Sequence, residues 1–226
     1  MLRWVRRWCT FVTNVIYSDR AVLSGPRARR LSRMAFDWSQ FYEKQGGRGV
    51  RPTFQSALEA WAGPAGDAID LGCGDGVETR HLAENGWHVL AVDSDPGVEE
   101  RVRTGLSPDA SQRVTVRQAP FEKLGDLPEA DLIYAGFALP FCDETHFPYL
   151  WADIREALRP GGLFAGELFG PHDEWVGRPG MSFHERSQVE GMLTGMEVLQ
   201  LVEDDRRGMS FDGPKHWHVF HIVARA

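Results

Sequence analysis

The sequence predicts an α/β fold with a doubly wound, mostly parallel sheet of seven strands, helices on both faces and an antiparallel pair of strands at the C-terminal end. Helix-like and strand-like patterns alternate from residue 36 onward with short connections. This alternation is typical of a parallel sheet that is covered on both faces. Near the C-terminus two strand patterns, 197–203 and 216–224, follow each other with no helix between them. Strands connected in this way pair antiparallel.

The individual elements follow from apolar periodicity and from helix-breaking residues. Pro52 suits the first turn of a helix, and Asn85-Gly86 suits the end of another. Strands are expected at residues 68–71, 87–92, 113–117, 131–135, 163–169, 197–203 and 216–224. Helices are expected at residues 39–44, 52–61, 77–84, 98–104, 145–158 and 185–193. Residues 208–214 are expected to form a plain turn before the last strand.

The 226 residues suffice for one domain with a sizeable core. The hydrophobic content of 42% and the charged content of 25% are ordinary for a globular protein. No segment approaches the apolar length that spans a bilayer. A formal net charge of −7 disfavours nucleic acid as the main partner.

Residues 1–35 differ from the rest, since they contain eight arginines and a single acidic residue, Asp19. Apolar residues near helical spacing predict a basic, helical N-terminal extension over 1–35, followed by a single domain over 36–226. Two interpretations of the extension are favoured: a helix that packs on its own domain or on the twin subunit of a homodimer, and a natural start at Met34. Contact with a membrane and a role as a transit peptide are disfavoured.

The three cysteines, Cys9, Cys73 and Cys142, are widely spaced and form no CxxC pair. This pattern supports neither a disulfide framework nor a zinc site, and it predicts a cytoplasmic location. His216 and His218 share one face of the last predicted strand, but no third ligand accompanies them at suitable spacing. No metal is therefore expected.

The most informative segment is a glycine loop, Asp70-Leu-Gly72-Cys73-Gly74-Asp75-Gly76, between a predicted strand and a predicted helix. Glycine permits a tight turn and a close approach of the backbone to a ligand. The helix that follows presents free N–H groups to an anionic group. The next predicted strand leads to Asp93, whose carboxylate can accept two hydrogen bonds from a ribose diol. Loop and acid together predict a nucleotide-like cofactor.

Two details narrow the identity of that cofactor. The glycine spacing is GxGxG rather than the GxGxxG of nicotinamide and flavin enzymes. Asp70 precedes the first glycine by two residues, where an acid would repel a pyrophosphate but suits an ammonium group. S-adenosylmethionine carries an ammonium and a carboxylate and no phosphate. The pattern favours this donor over NAD, and so disfavours an oxidoreductase.

The run AIDLGCGDGVETRHLAENGWHVLAVDSDP resembles motifs I and II of the class I S-adenosylmethionine-dependent methyltransferases, which have a Rossmann-like fold. The resemblance continues through VRQAPFEKL, ADLIYAGFALPF and ALRPGGLFAGELF. Within the family it is nearest to the small-molecule group that includes tellurite-resistance-like methyltransferases. It implies S-adenosyl-L-methionine as cofactor, S-adenosyl-L-homocysteine as product, and in-line transfer of a methyl group to O, N, S or C of a small-molecule acceptor.

The resemblance also implies roles for single positions. The implied cofactor-binding residues are Asp70, Gly72, Cys73, Gly74, Asp93, Ser94, Pro120, Phe121, Gly136 and Phe137. Asp93 would take the ribose hydroxyls with Ser94 beside the adenine, and Gly136 and Phe137 would face the methionine moiety and the acceptor. The sequence departs from many relatives at Gln118-Ala119-Pro120, which lacks their acidic residue after the third strand.

Three further residues are candidates. Arg51, just before the first long helix, could pair with the methionine carboxylate, and a solvated arginine is the equal alternative. Glu167 and His184 are the candidate catalytic bases, which only a protonated acceptor needs. For each, a purely structural role is the alternative.

Two alternative functions stay open. One is an S-adenosylmethionine-binding protein or a non-methylating enzyme of the same fold, since no base is obvious. The other is an RNA or protein methyltransferase that uses the basic N-terminus to attract phosphate.

Overall fold

The computed structural model describes residues 47–210 and 213–226, and the seven strands within them form one sheet. In chain order the strands are β1 (Asp67–Leu71), β2 (His88–Asp93), β3 (Val114–Gln118), β4 (Ala130–Ala135), β5 (Leu158–Phe169), β6 (Glu197–Ser210) and β7 (Gly213–Arg225). Their order across the sheet is β3-β2-β1-β4-β5-β7-β6. Strands β1 to β5 run parallel, and β7 pairs antiparallel with β5 and β6. The predicted fold class is confirmed.

Six α-helices flank the sheet in the part of the chain that the structure describes. They are α1 (Pro52–Ala60), α2 (Val77–Glu84), α3 (Val98–Arg103), α4 (Pro108–Ser111), α5 (Phe147–Ala157) and α6 (Arg186–Met192). The longest of them, α5, buries Phe147, Leu150, Trp151 and Ile154, which recur every three or four residues along one side. This apolar stripe is what docks an amphipathic helix onto a sheet.

The core consists of two apolar clusters, one on each face of the sheet. Neighbouring strand residues alternate between them, since Ala68 belongs to one cluster and Ile69 to the other. Helices α1 to α4 contribute to the cluster of Ala68, and α5 and α6 contribute to that of Ile69. Burial on both faces is the reason why the central strands are continuously apolar.

The order in which successive strands are added to the sheet reverses at β1, which lies between β2 and β4. From β1 the strand order runs outward to β3 on one side and to β5 on the other. In sheets of this kind ligands bind outside the carboxyl ends of the strands at such a switch point. The expected position of a site is therefore beyond the ends of β1, β2 and β4.

Three elements differ from the expectation. Helix α4 was not predicted, because it has only four residues and depends on a Ser107 cap that accepts from the N–H of Ala110. Strand β5 was expected to begin at residue 163 but begins at Leu158. Leu158 pairs with Ala130, and the register between β4 and β5 shifts just after this pair. The expected plain turn over 208–214 is wrong, since β6 and β7 continue through it and are paired as far as Ser210 and Gly213.

The predicted extension over residues 1–35 and the predicted helix over 39–44 lie outside the described residues. Within 47–210 and 213–226, the helices are all too short or too polar to cross a membrane.

Candidate active site

A cavity of about 640 Å³ lies at the carboxyl ends of β1, β2 and β4 and extends to the hairpin of β6 and β7. All eleven residues predicted to bind the cofactor line it. They are Arg51, Asp70, Gly72, Cys73, Gly74, Asp93, Ser94, Pro120, Phe121, Gly136 and Phe137. The fold thus brings together positions from five separate segments of the chain, as expected for parallel strands that end at one edge.

Backbone hydrogen bonds hold the glycine loop against the end of β2. The N–H groups of Gly72 and Cys73 both donate to the carbonyl of Val92, at 2.8 and 2.9 Å. Gly72 has a φ of 69°, and a Cβ added there would lie 2.3 Å from the Cβ of Ala138. Only glycine fits this position, because both the left-handed backbone and the close approach to the segment after β4 exclude a side chain.

The carboxylate of Asp93 is oriented by the backbone on both sides. Its Oδ2 accepts from the N–H of Gly74 at 2.9 Å, and its Oδ1 accepts from the N–H of Asp95 at 2.9 Å. Burial raises the pKa of Asp93 above its ordinary value, although both backbone bonds act in the opposite direction. Hydrogen-bond donors from a diol would favour the ionised form of this group further.

Asp70 lies at the bottom of the loop, only 2% exposed. Burial raises the pKa of its carboxyl group to about 7, and the nearby Glu78 carboxylate raises it further. The hydroxyl of Thr79 donates to Asp70 Oδ2 at 2.6 Å and partly offsets the rise. A buried carboxylate with this environment gains from a cationic ligand group.

Two arginines at the rim have different partners. Arg48 is paired with Asp75 at 2.7 Å and with Glu78 at 2.5 Å, so its charge is already balanced. The Arg51 guanidinium lies 5.0 Å from the ring centroid of Phe137, a cation–π contact. Among the described residues no carboxylate pairs with the side chain of Arg51. It is therefore the rim arginine that can receive an anionic ligand group.

The turn after β4 is strained. Phe137 has a φ of 54° and is the one non-glycine residue with positive φ in the described segments, a conformation that costs about 1–3 kcal/mol. Its N–H donates to Glu167 Oε2 at 3.1 Å. Next to it, a Cβ on Gly136 would lie 2.3 Å from the hydroxyl of Tyr134. Glu167 thus fixes the turn that aims the Phe137 ring.

Aromatic rings form the other half of the cavity. The Phe137 ring packs edge-on against Phe169, Trp217 and His221, with centroids 6.3, 6.1 and 6.2 Å apart. Phe141 and Trp175 also line the cavity, as do Asp204 and Arg206 from β6. The site therefore has a polar half at the glycine loop and an aromatic half at β5 and β7.

Comparisons with known proteins agree with this geometry. The methyltransferase domain family matches residues 68–162. A carboxy-S-adenosyl-L-methionine synthase of Yersinia pestis is 27% identical, over 72% of this chain and 67% of that protein. The chain therefore contains an S-adenosylmethionine-dependent methyltransferase domain at residues 68–162. The resemblance drawn from the glycine loop is confirmed.

Several solved structures share the fold of this chain. TehB from Haemophilus influenzae has a TM-score of 0.66 at 14% identity, over 83% of this chain and 66% of that one. The chain thus spans just under two thirds of the length of TehB. A 1,6-didemethyltoxoflavin-N1-methyltransferase of Burkholderia thailandensis has a TM-score of 0.58 at 20% identity, over 91% and 92%. At these identities both matches show that the fold is shared.

The donor of this family fits the polar half of the cavity. Asp70 and Arg51 offer opposite charges, which suit the ammonium and the carboxylate of a methionine moiety. The buried hydroxyl of Tyr134 also lines the cavity and has no hydrogen-bond partner among the described residues. An unpaired buried hydroxyl is unfavourable unless a ligand atom completes it.

The two predicted bases are buried and do not line the cavity themselves. Neither Glu167 nor His184 is among the lining residues of the cavity. Glu167 is 1% exposed and is occupied by the N–H of Phe137 and by the ring of His221. His184 is buried against Phe147 with ring centroids 4.3 Å apart, and burial lowers its pKa to about 4. The predicted role of each as a base stays a prediction.

Of the cavity residues on β7, sequence reasoning identified Trp217 as a candidate for the acceptor pocket and missed Val219 and His221. Trp217, Val219 and His221 all line the cavity, and they alternate along the strand. Their spacing of two was a usable signal, since alternate residues of a strand share one face. His216 and His218, which the sequence analysis considered as metal ligands, do not line the cavity.

Those two histidines belong to a cluster that joins β6, β7 and the loop after β5. His172 Nδ1 lies 2.8 Å from Asp205, and His218 Nε2 lies 2.9 Å from Glu203. His172, Asp205 and His218 bring potential metal ligands within 4.8 Å of one another. Both ring nitrogens of His218 are already used, since its Nδ1 accepts from the N–H of His172 at 3.1 Å. Hydrogen bonding therefore accounts for the cluster.

Proposed function

We propose that this methyltransferase transfers the methyl group of S-adenosylmethionine to a small-molecule acceptor. The observation that carries the proposal is the cavity itself, whose polar half at the glycine loop opens directly onto an aromatic half. Its volume of about 640 Å³ lies in the range of small-molecule sites. The didemethyltoxoflavin enzyme, which shares the fold, is named for a small-molecule acceptor as well.

The polar half has a group for each part of the donor. Asp93 would accept from the ribose hydroxyls, and the Asp70 carboxylate and Arg51 would bind the two charges of the methionine moiety. Ser94, Pro120 and Phe121 would contact the adenine, and Gly72 and Gly74 of the glycine loop, with Cys73 between them, would line the methionine end. When bound, the donor supplies an electrophilic methyl group on its sulfonium. The chain contributes alignment of the two reactants and exclusion of water.

Calorimetry with S-adenosylhomocysteine tests the donor site. We expect wild-type protein to bind it, and Asp93→Ala to bind it about 10- to 100-fold more weakly, because charge-assisted hydrogen bonds contribute about 1.5–3 kcal/mol. Asp109→Ala, at an exposed position of α4, is the matched control and should bind like wild type. Absence of binding by the wild type, or equal binding by Asp93→Ala, would contradict the proposal.

A second candidate is a non-methylating enzyme of the same fold. It is favoured by the carboxy-S-adenosyl-L-methionine synthase relatives at 27% identity. The mass of the nucleotide that copurifies with the protein separates the two candidates. A carboxylated donor would support the synthase-like activity, whereas S-adenosylmethionine or S-adenosylhomocysteine would support methyl transfer.

A further inference from the structure

The aromatic half of the cavity contains a histidine, His221, whose ring contacts the buried carboxylate of Glu167. We propose that His221 Nε2 removes the proton of an aromatic hydroxyl group in the acceptor, and that Glu167 is the positioning residue for its ring. The inference rests on the proposed methyl transfer and adds to it a substrate class and a catalytic residue.

The position of His221 follows from the pairing of the last strand. Glu167 on β5 and His221 on β7 are direct partners in the antiparallel register. The His221 Nδ1 atom lies 3.3 Å from Glu167 Oε1 and 3.3 Å from the hydroxyl of Thr53. The other Glu167 oxygen accepts the N–H of Phe137. One buried carboxylate thus holds both the base and the strained turn beside it.

This arrangement selects one tautomer of the ring. A carboxylate only accepts hydrogen bonds, so its contact with Nδ1 requires the hydrogen on Nδ1. The lone pair is then on Nε2, on the opposite side of the imidazole. Nε2 has no hydrogen-bond partner among the described residues, and the side chain is 24% exposed in the wall of the cavity. A carboxylate that orients a histidine base in this way is a recurring catalytic arrangement.

The rings around His221 indicate a planar acceptor. Phe137 packs edge-on against His221 and Trp217, and Trp217 packs edge-on against Phe169 at 5.8 Å. Ring pairs of this kind leave flat faces and edges with which another aromatic ring can pack. A base beside such walls suits a phenol-like hydroxyl, because a neutral amine already has its lone pair available for attack.

The proposed reaction needs no reactant besides the donor and the acceptor, and no protein groups besides His221 and Glu167. The acceptor oxygen forms a bond to the methyl carbon while the carbon–sulfur bond breaks and its electron pair remains on sulfur. The hydroxyl proton passes to His221 Nε2, and the imidazolium is stabilised by the Glu167 carboxylate. The products are an aryl methyl ether and S-adenosylhomocysteine, and the proton on His221 is released to solvent.

Nitrogen chemical shifts of His221 test the tautomer without any turnover. In uniformly ¹⁵N-labelled protein we expect Nδ1 to be protonated and Nε2 to be bare, and Glu167→Gln should change this ratio. The same result in the S-adenosylhomocysteine complex would support the assignment. A dominant Nε2–H form in the wild type would overturn it.

Kinetics with phenols of graded acidity test the proton transfer. His221→Asn should lower kcat about 10²- to 10⁴-fold for a weakly acidic phenol, the usual size of a general-base effect, and much less for 4-nitrophenol, which ionises by itself near neutral pH. His88→Asn, at an exposed position on β2, is the matched control and should resemble wild type. Equal losses for both phenols, or no loss, would overturn the role of His221.

Two results distinguish the assignment of an aromatic hydroxyl acceptor from methyl transfer itself. If wild-type protein methylates thiols or amines but no phenol in the series, the aromatic-hydroxyl assignment is overturned and methyl transfer stands. If the wild type does not bind S-adenosylhomocysteine, the proposed function fails first.

Discussion

The fold changes the ionisation of Asp70, which lines the polar half of the cavity. Burial and the Glu78 carboxylate raise the pKa of Asp70 from 3.8 to about 7, although Thr79 and Arg48 act in the opposite direction. The folded protein therefore holds this proton more tightly than the unfolded chain. By linkage, the contribution of Asp70 to stability declines as the pH rises from about 4 to about 7.

Asp70→Asn should remove this pH dependence. We expect the free energy of unfolding of the variant, relative to wild type, to improve as the pH is raised from 5 to 8, because only the wild type must ionise a buried carboxyl group. Urea unfolding at the two pH values measures the difference. Asp109→Asn, at an exposed site, should show no such trend. An identical pH dependence for Asp70→Asn and wild type would contradict the environment described for this carboxyl group.

The grouping of the residues that line the polar half of the cavity was predictable, because they lie close together in the sequence or at the ends of strands. Asp70 lies near the end of β1, Gly72 and Gly74 lie in the loop that follows it, and Asp93 stands at the end of β2. Parallel strands then bring such positions to one edge without further information. His221 was not predictable in the same way, since its contact with Glu167 depends on the antiparallel register of β5 and β7, which the sequence pattern alone does not fix.

Among the elements, the segment between β5 and α6 is attached to β7 by a buried ion pair. Lys215 Nζ lies 2.6 Å from Asp173 Oδ1, and both side chains are at most 3% exposed. The same ammonium lies 3.5 Å from the ring centroid of Trp175 and 3.9 Å from that of Trp217. Because these two rings line the cavity, the pair supports the aromatic half of the site from behind.

Asp173→Asn should destabilise the protein by about 3–5 kcal/mol, because it leaves the buried Lys215 ammonium without its partner. The free energy of urea unfolding measures the loss. Asp205→Asn is the matched control, since Asp205 binds two histidines at an exposed position and such pairs contribute little. Similar losses for the two variants would show that the buried pair is no more important than the exposed one.

The outer part of the hairpin of β6 and β7 could not be predicted from the sequence. Strand β6 is at the edge of the sheet, and most of its residues are exposed or half-buried. Its outer part therefore lacks the apolar alternation by which strands are recognised. Strand β6 continues past residue 203, where its predicted range ended, so that Asp204, Arg206 and Met209 reach the cavity. Of these, only Met209 lies in the segment 208–214 for which a turn was predicted.

At the scale of the whole molecule, the parallel and the antiparallel parts of the sheet line different halves of the cavity. The parallel strands β1, β2 and β4 present the polar half of the cavity, and the antiparallel strand β7 presents much of the aromatic half. The parallel part contains the family motifs within residues 68–162. The donor can therefore be inferred from sequence motifs, whereas under the proposed function we expect the acceptor to be selected by side chains that the motifs do not include.

Because the cavity joins segments from most of the sheet, donor binding should stabilise the entire fold. At a ligand concentration of 100 times Kd, linkage predicts about 2.7 kcal/mol of added stability, which corresponds to a rise in Tm of about 5–10 °C for a chain of this size. Thermal unfolding with S-adenosylhomocysteine, compared with the same concentration of NAD, measures the effect. We expect a rise with the first ligand, none with NAD, and a smaller rise for Asp93→Ala. A rise with NAD alone would instead favour the oxidoreductase that the glycine spacing and Asp70 disfavour.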